Sequence, residues 1–327
     1  MIEIFNLYMN NYYDKNKIFV ISFIVATVLF IVLESVVVPL ILGKIITNID
    51  KPTLYLNCLI ITYIIVFVLY YFKKKCEIKF LPDILTYPRN LFFSSLIDKY
   101  SENYKSLKMG SNISRINLIT WVFRDCCLFF LESILPHILI LIFLSCLFLY
   151  INVNLGLITV LSIIIFFLVI LFLQNYLHKK LNYVNEFYYK LDNELVDIFS
   201  SLMNTYLNNN EVKEKERINN SQNMYNLGLK DVHIVDSKLC YLLYFVTIIT
   251  SILSIFYIVL SKNENKIILL ILLIYFINSL ITLSKSYPIF LYKYYITIDS
   301  NNYVKNILNI HTNDLQKEIN SGNIELK

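Results

Sequence analysis

The 327-residue sequence predicts an all-α membrane protein with six transmembrane helices and two long helical extensions into the cytosol. The first observation is a set of six apolar stretches, each close to the ~20 residues that cross ~30 Å of hydrocarbon as a helix. The second is composition, because a chain that is 57% hydrophobic and 16% charged is not an ordinary soluble domain. The stretches are 18–42, 56–72, 126–150, 155–177, 239–260 and 267–291.

The connections between these stretches alternate in length, which is the third observation. Connections 43–55, 151–154 and 261–266 are short, whereas the second and fourth connections are long. Six crossings with this alternation place both long connections and both termini on one side of the membrane.

Basic residues indicate which side that is. Of the 29 Lys and Arg residues, Lys44, Lys51, Lys262 and Lys266 lie in the short connections, and the other 25 lie with the long connections and the termini. Positively charged flanks stay in the cytosol during insertion. We therefore expect an integral, multi-pass protein with both termini cytosolic.

The long connections have the pattern of helices and not of loops. Apolar residues recur at helical spacing, as in Leu181, Val184 and Tyr188, and glycine is absent from 157 to 227. We expect each connection to descend as a helix, turn, and return as a helix, with a break near 208–210 in the second. A leg of ~20 to 25 residues carries the turn roughly 30 Å below the bilayer. A cytosolic partner at the tips would explain such extensions.

Several function classes lack support in the sequence. The net charge of +5 is a consequence of topology, and no basic cluster with aromatic interleaving indicates nucleic-acid binding. The six cysteines have neither zinc-site spacing nor an oxidising location. No constellation typical of a membrane enzyme is present. We expect no metal, no cofactor bound by this chain and no enzymatic activity of its own.

Three local patterns resemble the transmembrane domain of type I ATP-binding cassette (ABC) exporters. The stretch 109–116 is similar to the Gly-x-x-x-Ser-Arg pattern that follows the first coupling turn of that family. The stretch 192–212 occupies the place of the second coupling turn, although Phe199 lies where the family often has glycine. The stretch 319–327 resembles the strand that opens the nucleotide-binding domain, and 5–13 resembles the amphipathic elbow helix.

The resemblance implies a division of labour between this chain and its partners. It implies a transmembrane domain over 1–310, followed at 311–327 by a linker and the first strand of a nucleotide-binding domain. Because no Gly-x-x-x-x-Gly-Lys-Ser/Thr loop occurs in the sequence, ATP and Mg²⁺ would bind to that domain, in cis or in trans. The other implied partners are membrane lipids, a transported substrate of unknown identity and a second transmembrane half, for which we expect a homodimer.

The resemblance also implies which residues transmit force to the membrane. When the motor domains close on ATP, the stiff extensions would convert their movement into tilting of the spans. The alternative for these residues is a solvated helix turn. The residues expected to couple are Lys105, Ser106, Leu107, Lys108, Met109, Gly110 and Arg115 at the first tip, and Ser200, Ser201, Asn204, Thr205 and Tyr206 at the second.

Polar residues inside the spans are candidates for the translocation pathway, since each is costly in lipid unless it faces protein or water. Glu34 in the first span, His137 in the third and Asn278 in the sixth meet this description. Two have structural alternatives: His137 could bond to a neighbouring helix, and Asn278 could bridge helices.

Two other functions compete with the exporter. A membrane scaffold with a degenerate exporter fold and no motor would have the same sequence pattern. A secondary transporter or channel fits less well, because such proteins carry short loops and broken, Gly/Pro-interrupted helices.

Overall fold

A computed structural model describes residues 21–47, 52–100, 120–261 and 265–308. Within these ranges the chain is helical and contains no strand. Six of the seven helices are long and apolar enough to cross a membrane, which confirms the predicted number of spans. The helices are α1 (Ile21–Thr47), α2 (Pro52–Tyr100), α3 (Thr120–Ile151), α4 (Val153–Ser200), α5 (Leu202–Leu207), α6 (Glu211–Leu260) and α7 (Lys266–Leu308).

The spans are helical because they lie in the hydrocarbon of the bilayer. Hydrocarbon offers no hydrogen-bond partner, so a spanning segment must satisfy its backbone internally. Side-chain hydroxyl groups in the spans also find hydrogen-bond partners within their own helix, because they donate to backbone carbonyls one turn earlier. Thr159 donates to the Gly156 carbonyl (2.8 Å), Ser162 to the Thr159 carbonyl (2.7 Å) and Thr247 to the Leu243 carbonyl (2.9 Å). These polar residues therefore need no partner on another helix.

The core surrounds α7, which packs against α1, α3, α4 and α6. Phe276 of α7 is fully buried and meets Phe148 of α3 edge to face, with 6.0 Å between ring centroids. In contrast, α2 packs mainly against α1 and keeps most of its apolar surface exposed. The bundle is thus well packed at α7 and open along α2.

The first short connection begins later than predicted. We expected it to start at Gly43, but α1 continues to Thr47. Gly43 is buried, and a Cβ atom there would lie 3.0 Å from Ile268 Cγ1 on α7. The missing side chain lets α1 and α7 approach closely, so the residues around Gly43 belong to a helix contact and not to a loop.

The second long connection folds as predicted, with one addition. The helices α4 and α6 contain 48 and 50 residues, which at 1.5 Å per residue is ~70 to 75 Å each, far more than the ~30 Å of hydrocarbon. The predicted break is confirmed at 208–210, where Asn209 has a positive φ of 48° that asparagine tolerates well. A further break at Ser201, which was not predicted, isolates the short helix α5.

Part of the first extension can be compared with its prediction. The descending helix is confirmed, because α2 continues without interruption through Pro82 and Pro88 to Tyr100. The turn that follows lies outside the described residues, as do the elbow-like segment 5–13 and the strand-like segment 319–327.

Candidate functional site

The tip of the second extension is a short helix held between two turns. Ser200 and Ser201 both donate their hydroxyls to the Asp197 carbonyl, at 2.9 and 2.8 Å, and thereby close the end of α4. Thr205 donates to the Ser201 carbonyl at 3.4 Å within α5. The Asn210 amide then donates to the Thr205 carbonyl at 3.0 Å, which ends α5. These bonds connect α5 to the end of α4 and to the turn that precedes α6.

This tip exposes apolar side chains at its surface. Met203 is 76% exposed and Leu207 is 70% exposed, and neither is covered by any part of the described chain. The predicted tip residue Tyr206 is 58% exposed. An apolar tip surrounded by polar residues is typical of a protein contact surface. The residues that form the apolar part of the tip are Phe199, Leu202, Met203, Tyr206, Leu207 and Val212.

Behind the tip, α4 and α6 form an extensively packed antiparallel pair. Buried residues on α4 recur at spacings of three and four, as in Leu177, Leu181 and Val184, which is the pattern of a coiled coil. Tyr188 packs on Tyr225 of α6, with 5.8 Å between ring centroids. This packing joins α4 and α6 into one unit behind the tip.

Polar contacts fix the register of that pair at two levels. Near the membrane, Lys180 Nζ lies 2.8 Å from Asp231 Oδ2. Closer to the tip, the Ser221 hydroxyl donates to Glu194 Oε2 at 2.5 Å, and Arg217 Nε lies 3.9 Å from Glu194 Oε1. Glu194 is only 9% exposed, so this carboxylate depends on its donors from α6.

The first tip cannot be placed in the same way. Its predicted coupling residues all lie outside the described part of the chain, namely Lys105, Ser106, Leu107, Lys108, Met109, Gly110 and Arg115. Their role stays a prediction.

Of the three pathway candidates, the structure brings Glu34 and Asn278 to the same level. Both side chains are exposed. Gly43 of α1 faces Ile268 of α7, and the first and sixth spans run in opposite directions. Glu34 precedes Gly43 on α1 by about as many residues as Ile277 follows Ile268 on α7. Glu34 is therefore level with Ile277, the neighbour of Asn278. Neither the Glu34 nor the Asn278 side chain forms a hydrogen bond or ion pair within the described residues.

Two tyrosines that the sequence analysis did not single out lie close to Glu34. Tyr275 of α7 precedes Asn278 by three residues, so it lies on the same side of α7 and within one turn of the level of Glu34. Phe30 of α1 contacts Tyr70 of α2 at 5.7 Å between ring centroids, which places Tyr63 about one turn from the level of Glu34. Three helices thus contribute polar groups to one region, and sequence periodicity alone gives no signal for this convergence.

His137 is separate from this region. It is half-buried on α3, and its Nδ1 is buried without a hydrogen-bond partner. The expected bond to a neighbouring helix is therefore not made by that nitrogen. Over the described ranges, no group of three His, Cys, Asp or Glu side chains is arranged to hold a metal ion.

Comparison with known proteins identifies the fold. No protein-family model and no curated protein sequence matches the chain. Among solved structures, the chain is similar to a bacterial Atm1-family ABC exporter with ATP bound, with a TM-score of 0.68 over 90% of this chain. The chain has the fold of an ABC exporter transmembrane domain. Since sequence identity is 12%, the similarity establishes the fold alone, and the chain spans about half (54%) of that exporter.

Within this ABC exporter fold, two spans carry the same unusual local structure. The sequence Leu-Glu-Ser occurs at 33–35 in α1 and at 131–133 in α3, followed by proline within a few residues. In both places the helix widens into a π turn, Leu33–Val37 and Phe130–Ile134. Such turns accompany functional sites often. The recurring tripeptide and the proline that follows it are the sequence signal for this repeat.

The two repeated glutamates differ in their partners. Glu132 of α3 lies 3.4 Å from Lys74 Nζ of α2. Lys74 also binds Glu77 at 2.5 Å, and Lys73 Nζ lies 3.6 Å from the same carboxylate. Glu34 has no ion pair in the described residues, and only longer-range attraction to Lys73 reaches it. The exporter fold therefore contains one paired and one unpaired copy of the motif.

Proposed function

We propose that the chain is the substrate-translocating transmembrane half of an ATP-driven ABC exporter. Its cytosolic helix tips would contact a nucleotide-binding domain that carries ATP and Mg²⁺, supplied either by the same polypeptide or by a separate chain. The observation that carries this proposal is α5: an exposed, apolar six-residue helix at the end of two packed helices of 48 and 50 residues. The fold likeness to an exporter supports it.

The distribution of exposed surface supports a second transmembrane half. Side chains of α2 such as Ile64 and Phe67 are 58% and 69% exposed on a helix that touches little besides α1. A single half also leaves Glu34 and Asn278 exposed at membrane depth, where a polar group needs water or protein. Two copies facing each other would enclose these residues in a shared pathway, and we propose a homodimer.

The proposed orientation places the α5 tip and both termini in the cytosol. It rests on the excess of basic residues on the long-connection side, including Lys73, Lys74 and Lys75 at the inner end of the second span. In this orientation the tips face the compartment that contains ATP.

Coupling through the tip can be tested with the full chain and the cassette ATPase encoded with it, reconstituted together in proteoliposomes. We expect ATPase activity to depend on the chain. Met203→Glu would place a charge in an apolar contact, and burying an unpaired charge is very unfavourable. We therefore expect the ATPase activity that depends on the chain to fall by at least ~10-fold. The matched control is Leu227→Glu, at a 62%-exposed leucine on the side of the same extension.

The outcomes separate the candidate functions. Loss of the chain-dependent ATPase activity in Met203→Glu, together with its retention in Leu227→Glu, would support an exporter half that is driven through α5. If the ATPase activity is the same with and without the chain, and the two proteins do not form a complex, the proposal is contradicted. That result would favour a scaffold without a motor.

A further inference from the structure

Two polar atoms that are buried where α3 packs against α7 have no hydrogen-bond partner. His137 Nδ1 on α3 and Ser286 Oγ on α7 are both inaccessible to solvent, and neither bonds to any atom of the described residues. Their neighbours one turn away on the same helices, Ile134, Leu141 and Leu283, belong to the apolar core. A polar atom in such surroundings is costly unless something bonds to it.

The two side chains face each other across the contact between α3 and α7. Phe148 of α3 meets Phe276 of α7 edge to face, and this contact marks the face that each helix turns towards the other. His137 precedes Phe148 by 11 residues, and Ser286 follows Phe276 by 10. Three helical turns contain about 11 residues. Both side chains therefore lie on the contact faces and, because the third and sixth spans run in opposite directions, at the same level.

A second ring contact supports this register on the cytosolic side. Phe130 of α3 and Phe290 of α7 lie 5.6 Å apart between ring centroids, and Ser286 precedes Phe290 by one turn on the same face. The two polar atoms face each other without bonding directly. A buried water molecule typically bonds to polar atoms that are otherwise unsatisfied. An imidazole nitrogen and a hydroxyl oxygen on facing helices are suitable partners for one.

Both helices also depart from regular backbone bonding beside this pair. In α3 the π turn Phe130–Ile134 is followed by Pro136, and in α7 Pro288 lies inside the helix. Proline has no amide N–H, so each one removes a helical hydrogen bond. Helices bend at prolines, at π turns and where water enters the helix. The buried polar pair thus lies where α3 and α7 can both bend.

We propose that α3 and α7 share a hydrated hinge, in which a water molecule bridges His137 Nδ1 and Ser286 Oγ. The water satisfies both buried atoms and keeps the two spans joined, while the prolines and the π turn let each helix bend. This inference goes beyond the proposed function, because the hinge needs neither ATP nor a second transmembrane half.

The bridging water can be tested on the unmodified chain. The full chain with isotopically labelled histidine nitrogens is placed in phosphatidylcholine bilayers, and solid-state NMR measures the transfer of magnetisation from water to each imidazole nitrogen. His137→Phe identifies the His137 signals among those of the four histidines. We expect transfer from water to His137 Nδ1. A His137 Nδ1 signal that receives none would contradict the bridge.

Ser286→Ala tests the second partner of the water. It should reduce the transfer to His137 Nδ1 by at least ~2-fold, because it removes the hydroxyl that holds the water, and it should lower the apparent melting temperature. The matched control is Ser284→Ala. Ser284 is also buried, but its hydroxyl already donates to the Ile281 carbonyl at 2.8 Å or less, and its loss should leave the transfer unchanged.

A dry serine would give the opposite result. If the Ser286 hydroxyl bonds to nothing, Ser286→Ala removes an unsatisfied polar group, so the melting temperature should rise and the His137 Nδ1 signal should not change. That outcome would overturn the water bridge, as would an equal loss of transfer in Ser284→Ala.

Backbone hydrogen exchange tests the bending. In nanodiscs, the amides of 135–141 and 284–291 should exchange at least ~10-fold faster than those of 269–276, a segment of α7 that contains no proline. Equal protection of the three segments would overturn the hinge. Both wild-type measurements are made without nucleotide, so the hinge can stand while the coupling experiment fails, and the reverse holds too.

Discussion

The backbone of Gly228 on α6 lies directly against Val184 on α4, so that a Cβ atom at position 228 would lie only 2.8 Å from Val184 Cγ2. Both residues are buried in the middle of the second extension. The contact fixes how closely the two long helices approach each other.

We expect Gly228→Leu to lower the apparent melting temperature of the purified chain in detergent. The added side chain has no space, and overpacking of this kind costs about 1–3 kcal/mol. Val184→Ala should restore part of the loss when combined with it, because it removes the atom that clashes. Asn223→Leu, at an exposed position of the same helix, should have little effect, and an equal loss there would contradict the argument.

The buried carboxylate of Glu194 provides a second prediction. Ser221→Ala removes the donor at 2.5 Å and leaves the carboxylate with only the distant Arg217. An under-satisfied buried acceptor costs about 1–3 kcal/mol, which thermal unfolding would detect. Ser251→Ala is the matched control, since that exposed hydroxyl bonds only to its own helix at the Ile248 carbonyl. Similar melting temperatures for the two variants would show that Glu194 does not need Ser221.

The ion pairs of α2 lead to a charge-exchange prediction. Lys74→Glu would bring a third carboxylate beside Glu77 and Glu132, and we expect it to destabilise the chain or prevent its accumulation in the membrane. The double variant Lys74→Glu/Glu132→Lys returns one positive charge to the cluster and should recover part of the yield. Measured yield and melting temperature that are no better in the double variant than in Lys74→Glu would argue against a bridge between α2 and α3.

The proposed orientation predicts which positions a membrane-impermeant maleimide reaches. Met203→Cys at the α5 tip should react in inside-out vesicles, and Tyr150→Cys at the end of α3 should react in right-side-out vesicles. The unmodified chain, with its six native cysteines, sets the background. The reverse pattern would invert the topology and remove the tip from the compartment that contains ATP.

The sequence predicted the architecture well because the relevant signals are local. Transfer of an apolar stretch into hydrocarbon depends on the composition of that stretch, and the break at 208–210 depends on what asparagine tolerates. The end of α1 could not be predicted for the opposite reason. The apolar stretch ends at Leu42, whereas α1 continues to Thr47 and Gly43 packs against Ile268 from a distant part of the chain.

The candidate sites were predictable to different degrees. The second tip could be found from the length of the extension and its break, which placed Ser200 and Tyr206 at the turn. The exposure of Met203 could not, because the side from which α5 presents its apolar residues depends on the turn at Ser201. Glu34 and Asn278 were recognisable as polar residues in apolar stretches, but Tyr275 was one of 26 tyrosines and had no distinguishing pattern.

By itself, the sequence determined that this chain crosses the membrane six times, predicted which residues face the cytosol, and determined that two long helices leave the bilayer together. These properties follow from the hydrophobicity and charge of continuous segments. Only the tertiary structure decided that Glu34 comes to the level of Asn278 and forms no ion pair with the described residues, while its repeat Glu132 is bound by Lys74. The physical reason is that the rotation and register of each helix are set by close packing against its neighbours, and an apolar stretch of ~20 residues specifies neither.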